Sequence, residues 1–433
     1  MSKKLQIIIS AVLIALISAT ILFKKEILFI KISEVGNNYG MTAYQIRVKS
    51  NNLLYVKCVF KNSGALRNAP EKRGISVVVG DLLCRRIGGL SPEETKEKLL
   101  DLGVQDLSIR ACEDDFILSF YVLKDKAPEA LKFLSPIFFR PEFSKNDLEF
   151  VKEKYPITSD LDLSHPRELL FDKLMETLYT NHNYGLNVTG NARSIAGISE
   201  DDVRNFVKSN FSRDNLEVFF TGDISQSDVE THVETLFSKI PEKGSRDFID
   251  KIGDVSSCPL SEEKDYVILK PNMKDIVGII CGFRVDNLDR KEEAAAHVII
   301  NTLFDAKIGD FSQGLRARKI AYSCDFHFIQ RNQSNVFFLE IYVYKNDLEN
   351  YKKYLEEKIS QYGCKLNLKK LERTKDQLAM QSGVGFANIF DVDKKMKYSS
   401  LPFSQITREI FSNTMKKLFD RSRMRVVYVQ SER

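Results

Sequence analysis

Histidines are the first residues to weigh for metal or acid–base chemistry, and this chain has five: His165, His182, His232, His297 and His327. No two stand within five residues of each other. A helix-borne zinc site needs two histidines at i and i+4 with a glutamate beside them, and neither His-x-x-Glu-His nor His-Glu-x-x-His occurs. Seven cysteines are scattered without a Cys-x-x-Cys pair, and their odd number forbids complete intrachain pairing. Cys58 in YVKCVF and Cys281 in IVGIICGF sit among apolar neighbours and read as buried thiols. One or two disulfides remain compatible with a body outside the cytoplasm. No metal ligand set and no cofactor emerges from these residues.

The stretch that organises the rest is Glu71 to Gly89, EKRGISVVVGDLLCRRIGG. Gly74 enters a helix whose Ile75, Val78, Val79, Leu82 and Leu83 recur at helical spacing on one apolar side. A second helix opens at Ser91-Pro92-Glu93-Glu94, with a cap residue, a proline at the first position and a carboxylate at the third. These surroundings resemble the zinc-helix region of the insulinase/pitrilysin-type metallopeptidases. There Gly-Leu-Ala precedes His-x-x-Glu-His, with two histidine ligands and a general-base glutamate on one helix face. On that match Gly74-Ile75-Ser76 is the lead-in. Val77 takes the place of the first histidine, Gly80 that of the glutamate and Asp81 that of the second histidine. Valine cannot ligate a metal, glycine cannot take a proton from water, and one aspartate does not hold catalytic zinc. The resemblance therefore implies a zinc-less member of a zinc peptidase family.

Further motifs follow the same family. Asn181-His182-Asn183-Tyr184-Gly185 with the later Gly190 resembles its His-Pro-Tyr-Gly segment. His182 reads as a turn residue that closes a loop by hydrogen bonds. Asp214 to Asp223, DNLEVFFTGD, resembles its closing strand and Gly-Asp turn. The family's third ligand is a glutamate about seventy residues past the histidines. Glu149 and Glu153 are the nearest candidates and read as a solvated helix face, while an ungapped match puts Lys154 there. Phe311 to Ser323, FSQGLRARKIAYS, resembles the family's Leu-x-x-x-Arg-x-x-x-Gly-Leu-Ala-Tyr-Ser. The resemblance implies peptide-binding roles for Arg316 and Tyr322, the arginine holding a peptide carbonyl and the tyrosine aiding an oxyanion. Arg316 is one position nearer the tyrosine than the family's arginine, and Lys319 stands where the family has glycine.

Positioning these residues takes two domains. The chain has 433 residues, with 43% hydrophobic and 28% charged content, ordinary for a folded protein. Its net charge of +5 is set against 59 acidic residues, so a mixed solvated surface rather than nucleic-acid binding is expected. Leu5 to Phe23, LQIIISAVLIALISATILF, carries no charge over 19 residues and is flanked by lysine pairs. It reads as an uncleaved transmembrane anchor, with a signal peptide as the other reading. Residues 28–35 and 42–60 alternate as strands, 116–123 is a strand, and helices are expected over 126–139, 147–154 and 164–179. Ser199 to Asp202 caps another helix. Residues 241–262 lack periodicity and read as a linker.

The second half repeats the plan. Strands are expected at 266–269, 276–283, 322–330 and 336–344, with helices at 291–304 and through 346–380; 276–283 is nearly all apolar and so central. FSNTMKKLFDRSRMRVVYV at 411–429 echoes FVKSNFSRDNLEVFF at 206–220, about 208 positions apart, an internal duplication. The expected fold class is α+β, with 1–25 as anchor or signal, 26–240 and 263–433 as homologous domains, and 241–262 between them. Each domain is a mixed, mainly antiparallel sheet packed with helices.

Zinc-less subunits of the resembled family close a chamber and help hold substrate for a zinc-bearing partner. The expected function is that of an inactive subunit of a zinc peptidase pair, anchored at or exported across the inner membrane with its body in the periplasm. Its partners would be a zinc-bearing homologous subunit, unfolded or short peptides, and the membrane through the N-terminal helix, without nucleic acid. Exposed sheet edges would accept peptide as an added strand. The alternative is a structural or peptide-binding scaffold in a membrane complex, without a proteolytic role.

Overall fold

Alternating apolar side chains and one long apolar run dictate two sheets, and the computed structural model contains both. It describes residues 32–34, 40–48, 52–162, 165–244, 255–270, 273–321, 324–362, 367–383 and 401–431. The first sheet is built from β1 (Ile32–Glu34), β2 (Thr42–Arg47), β3 (Leu53–Phe60), β4 (Gln105–Ala111), β5 (Phe116–Leu123) and β6 (Leu216–Gly222), in the order β1-β2-β6-β3-β5-β4. The second uses β7 (Asp265–Leu269), β8 (Ile276–Asp286), β9 (Asp325–Ile329), β10 (Ser334–Tyr344) and β11 (Met424–Gln430), in the order β7-β11-β8-β10-β9. Both are mixed and mainly antiparallel, an α+β architecture. The apolar β8 lies in the middle of its sheet, as its composition demands.

The duplication is visible in the topology. In each sheet the closing strand inserts between an early strand that it pairs with in parallel and one that it pairs with antiparallel: β6 between β2 and β3, β11 between β7 and β8. The two closing strands begin at Leu216 and Met424, the offset seen in the sequence echo.

Helices α1 (Ile75–Leu83), α2 (Pro92–Asp101), α3 (Ala127–Leu134), α4 (Lys145–Asp162), α5 (Pro166–Leu178), α6 (Ala192–Ala196), α7 (Glu200–Asn210) and α8 (Gln226–Phe237) follow or precede the first sheet's strands. α9 (Arg290–Phe304), α10 (Asp310–Ala317), α11 (Leu348–Tyr362), α12 (Leu368–Gly383) and α13 (Arg408–Leu418) do so for the second. The expected caps are formed: Ser91 with Glu94 opens α2 and Ser199 with Asp202 opens α7, each as a reciprocal capping box. α1 buries Ile75, Val78, Val79, Leu82 and Leu83, the face set by their spacing.

Three cores result. One lies between the first sheet and its helices, one between the second sheet and α9 to α13, and the third joins the halves. In the third, α5 belongs to the first half by sequence but covers the second sheet. Leu170, Leu174 and Leu178 pack against Ile280, Val336, Val427 and Val429. The helix comes close because β8 has no side chain beneath it at two places. A Cβ on Gly282 would stand 2.6 Å from Leu174 Cδ2, and one on Gly278 3.2 Å from Leu170 Cδ1.

Hairpin tips complete the joint between halves. Arg331, at the β9–β10 turn, pairs with Glu113 at the β4–β5 turn. Asp114 accepts from the Tyr184 hydroxyl at 2.6 Å and from the Asn332 N–H at 2.8 Å. Behind them Arg284 is fully buried, pairs with Asp286, and donates to the carbonyls of Cys258 and Val255, which ties the inter-domain segment to the second sheet.

One strand departs from the sequence reading. β4 was not foreseen: QDLSIRA carries few apolar residues because it is an edge strand, bulged between Gln105 and Ser108. The helices expected through 346–380 are α11 and α12. The expected anchor at residues 5–23 lies outside the described residues, and among those described no helix is long and apolar enough to cross a membrane.

Candidate functional site

α1 carries Val77, Gly80 and Asp81 on one face, at i, i+3 and i+4. It packs between β4, α4 and α7. Its entry is fixed by two glycines in left-handed backbone. Gly74 has φ 90°, and a Cβ there would meet the Thr189 carbonyl oxygen at 2.5 Å; Gly190 has φ 76°, and a Cβ there would meet the Arg73 carbonyl oxygen at 2.4 Å. The lead-in glycine and the later glycine thus exist for one another: two backbone segments touch where no side chain fits.

The space of a metal site is filled with other chemistry. Val77 is half-buried. Gly80 is buried against β4, where a Cβ would already lie 3.2 Å from Ile109 Cγ2. A glutamate could not be accommodated there with Ile109 in its present place. Asp81 pairs with Lys154 Nζ at 3.3 Å, both partly exposed. Lys154 is the residue that an ungapped match puts at the third ligand position. An ion pair between α1 and α4 therefore stands where the resembled family bridges two helices through metal. Glu149 turns instead to Lys152 at 3.1 Å, half exposed, and Glu153 is exposed. Among the described residues no group of three or more His, Cys, Asp or Glu is arranged to hold a metal ion.

The two helices are fastened a second time. Asp147, at the start of α4 and only 4% exposed, accepts from Arg86 Nε at 2.5 Å and Arg85 Nε at 3.3 Å, just past the end of α1. The Ser144 hydroxyl and N–H donate to the same carboxylate at 2.6 and 2.8 Å. Burial pushes this carboxyl upward. The hydrogen bonds from Ser144 and the two arginines outweigh it and hold the group well below the usual carboxylate range.

Beside this face runs β4, last in its sheet, so one row of its backbone N–H and C=O groups points away from the sheet. Beyond the β4–β5 turn a cavity of about 390 Å³ opens between α5, the segment 184–189 and β10. Phe171, Met175 and Phe338 give it apolar walls. Four carboxylates line it (Glu113, Glu168, Asp172 and Glu340) against two guanidiniums, Arg167 and Arg331. Three of the acids have partners in the structure: Glu113 with Arg331, Glu340 with Arg167 at 3.1 Å, and Asp172 with Asn187 at 2.8 Å. Glu168 keeps a buried carboxylate oxygen, Oε2, with no hydrogen-bond partner. Burial raises the Glu340 carboxyl above its ordinary range, with Arg167 opposing. Arg331 likewise leaves Nε and Nη1 buried without a hydrogen-bond partner, so the lining combines apolar walls and an acid surplus with unpartnered groups of both signs. Sequence reasoning did not find this cavity, because its residues come from four separate segments.

His182 closes its turn as expected, Nδ1 accepting from the Tyr184 N–H at 3.1 Å. Arg316 sits on α10 and donates to the carbonyls of Ala306 at 2.6 Å and Lys307 at 3.1 Å, closing the loop before that helix. Tyr322 lies outside the described residues. Lys319 has φ 57° and ends α10 in a Schellman arrangement, with Ile320 N–H on the Leu315 carbonyl and Lys319 N–H on that of Arg316. The glycine of the resembled motif is the residue such a position favours.

Residues 197–378 match the family model described as the Peptidase M16 inactive domain. The chain is 25% identical over 197 residues to an uncharacterized zinc protease, YmxG, of Bacillus subtilis (strain 168), a match covering 45% of this chain and 47% of that protein. It is 24% identical over 183 residues to the mitochondrial-processing peptidase subunit beta of Dictyostelium discoideum, covering 42% and 39%. The matched stretch thus spans less than half of either curated relative. By fold it is similar to a peptidase M16 inactive domain from Pseudomonas fluorescens (TM-score 0.80, 18% identity, 93% of this chain and 98% of that one). A protease from Helicobacter pylori is also similar (TM-score 0.76, 14% identity, 92% and 99%). The chain is thus similar in sequence to M16 peptidases and matches that family's inactive-domain model over residues 197–378.

Proposed function

We propose that this chain is a non-catalytic, peptide-binding subunit that works with a zinc-bearing M16 partner. One observation carries the reading. The metal positions hold packing and an ion pair instead of ligands, and the same chain carries an edge strand, β4, and an acidic cavity beyond the β4–β5 turn. A peptide would add to β4 through main-chain hydrogen bonds, which ask little of sequence. A lysine or arginine side chain would enter the cavity, its stem against Phe171 and Phe338 and its charge at Glu168. Arg316 and Tyr322 would add contacts from the second half toward a peptide held by the partner. The apolar segment 5–23 would anchor the protein, with the body in the periplasm.

Pull-down from native membranes, with zinc and peptidase activity measured on the recovered complex, tests the reading. The expected result is a zinc-bearing relative in the complex, no hydrolysis by the isolated chain, and hydrolysis by the pair. Repeated recovery of membrane proteins with no zinc-bearing relative, and proteolysis indifferent to removal of the chain, would favour the scaffold alternative instead.

A further inference from the structure

We propose that the cavity between α5 and β10 reads two groups of one peptide at once, a lysine or arginine side chain at Glu168 and a neighbouring main-chain carbonyl at Arg331. This rests on the peptide-binding reading above and adds to it the second contact and the peptides that the cavity excludes. Arg331 lines the cavity, and its side chain is only 2% exposed. Glu113 takes its Nη2, while Nε and Nη1 are buried with no hydrogen-bond partner. The guanidinium carbon stands 4.8 Å from the centre of the Tyr184 ring and 5.6 Å from that of Tyr179. Those rings hold the group in place without supplying an oxygen. A buried donor without an acceptor is costly, so a ligand that brings an oxygen to it recovers that cost on binding.

The surrounding charges decide what kind of oxygen fits. Four carboxylates and two guanidiniums line the cavity, and Glu113 already offsets Arg331. A ligand carboxylate would enter against that surplus, and a neutral carbonyl would not. The cation goes to the other end. Glu168, Phe171 and Met175 recur along one face of α5, and seven residues of helix rise about 10 Å. Arg331 lies toward Tyr179, the residue that ends that helix, and so away from Glu168. An extended lysine stem covers roughly 6 Å and each extended residue about 3.5 Å. The carbonyl at Arg331 therefore belongs about one residue from the lysine, with the stem over Phe171 and Phe338. A peptide that ends at its basic residue would carry a carboxylate into the same place and be disfavoured.

The test measures affinity by isothermal titration calorimetry on the full chain. The probe is a hexapeptide of alanines around one central lysine, acetylated and amidated. Norleucine in place of lysine removes the cation; an (E)-alkene in place of one peptide bond at a time removes one carbonyl and keeps the chain extended. Norleucine should weaken binding at least tenfold. An alkene next to the lysine should weaken it about tenfold, the scale of one hydrogen bond to a charged donor, and distant alkenes should weaken it little. In Arg331→Met the parent probe should bind about tenfold more weakly, and the alkene that mattered should no longer matter. Lost packing alone would not give that non-additivity. A probe ending at the lysine as a free acid should bind more weakly than its amide. Equal binding of every alkene probe to the wild-type chain would overturn the proposal even if Arg331→Met does not fold. So would additive losses between variant and alkene, or a preference for the free acid. Norleucine binding as tightly as lysine, or no binding of any probe, would instead refute the peptide-binding reading itself.

Discussion

Asp147 is where the loss of metal should be felt most in the energetics. Its carboxylate is the more buried of two ionic fastenings between the α1 region and α4. It is 4% exposed and accepts two bonds from Ser144 and one each from Arg85 and Arg86, whose side chains are 26% and 31% exposed. Removing one partner of a fully buried ion pair costs about 3–5 kcal/mol. The arginines here reach solvent once released, so Asp147→Ala should cost roughly 2–4 kcal/mol. Asp147→Asn keeps an acceptor for the Ser144 N–H and should cost less, about 1–2 kcal/mol. The pH dependence has a definite sign. The folded carboxyl lies below its unfolded value of about 3.9, so its contribution is fully present above that pH and is lost as pH falls below it. Urea unfolding at pH 7 and at pH 3.5 should therefore show the Asp147→Asn deficit shrinking toward acid. A deficit under 0.5 kcal/mol for Asp147→Ala at neutral pH, on the scale of an ordinary surface substitution, would refute the claim that this clamp holds the helix pair. So would a deficit that grows toward acid.

Two other outcomes follow from the site. Lys319→Gly should raise stability by about 0.5–1 kcal/mol in the same urea titration, because a non-glycine residue at φ 57° carries a left-handed strain that glycine escapes. Gly80→Glu should lower stability by about 1–3 kcal/mol through overpacking against Ile109, and adding Ile109→Ala should recover part of the loss. Independent, additive losses in that pair would mean that Ile109 does not fill the space.

Much of this protein is local in its sequence. The apolar face of α1, the Ser91 and Ser199 caps, the apolar centre of β8 and the echo between 206–220 and 411–429 each depend on residues a few positions apart, so spacing alone exposes them. The absence of a zinc motif is equally local, since its ligands would have to share one helix turn. β4 escaped notice because an edge strand with one solvated side needs little apolar alternation. The pairing of Asp81 with Lys154, the fit of Gly80 under Ile109, the docking of α5 on Gly278 and Gly282, and the acidic cavity behind the hairpin tips were settled only by the tertiary structure. Each joins residues far apart in the chain, and contacts of that kind are set by how whole elements pack, which no short window of sequence contains.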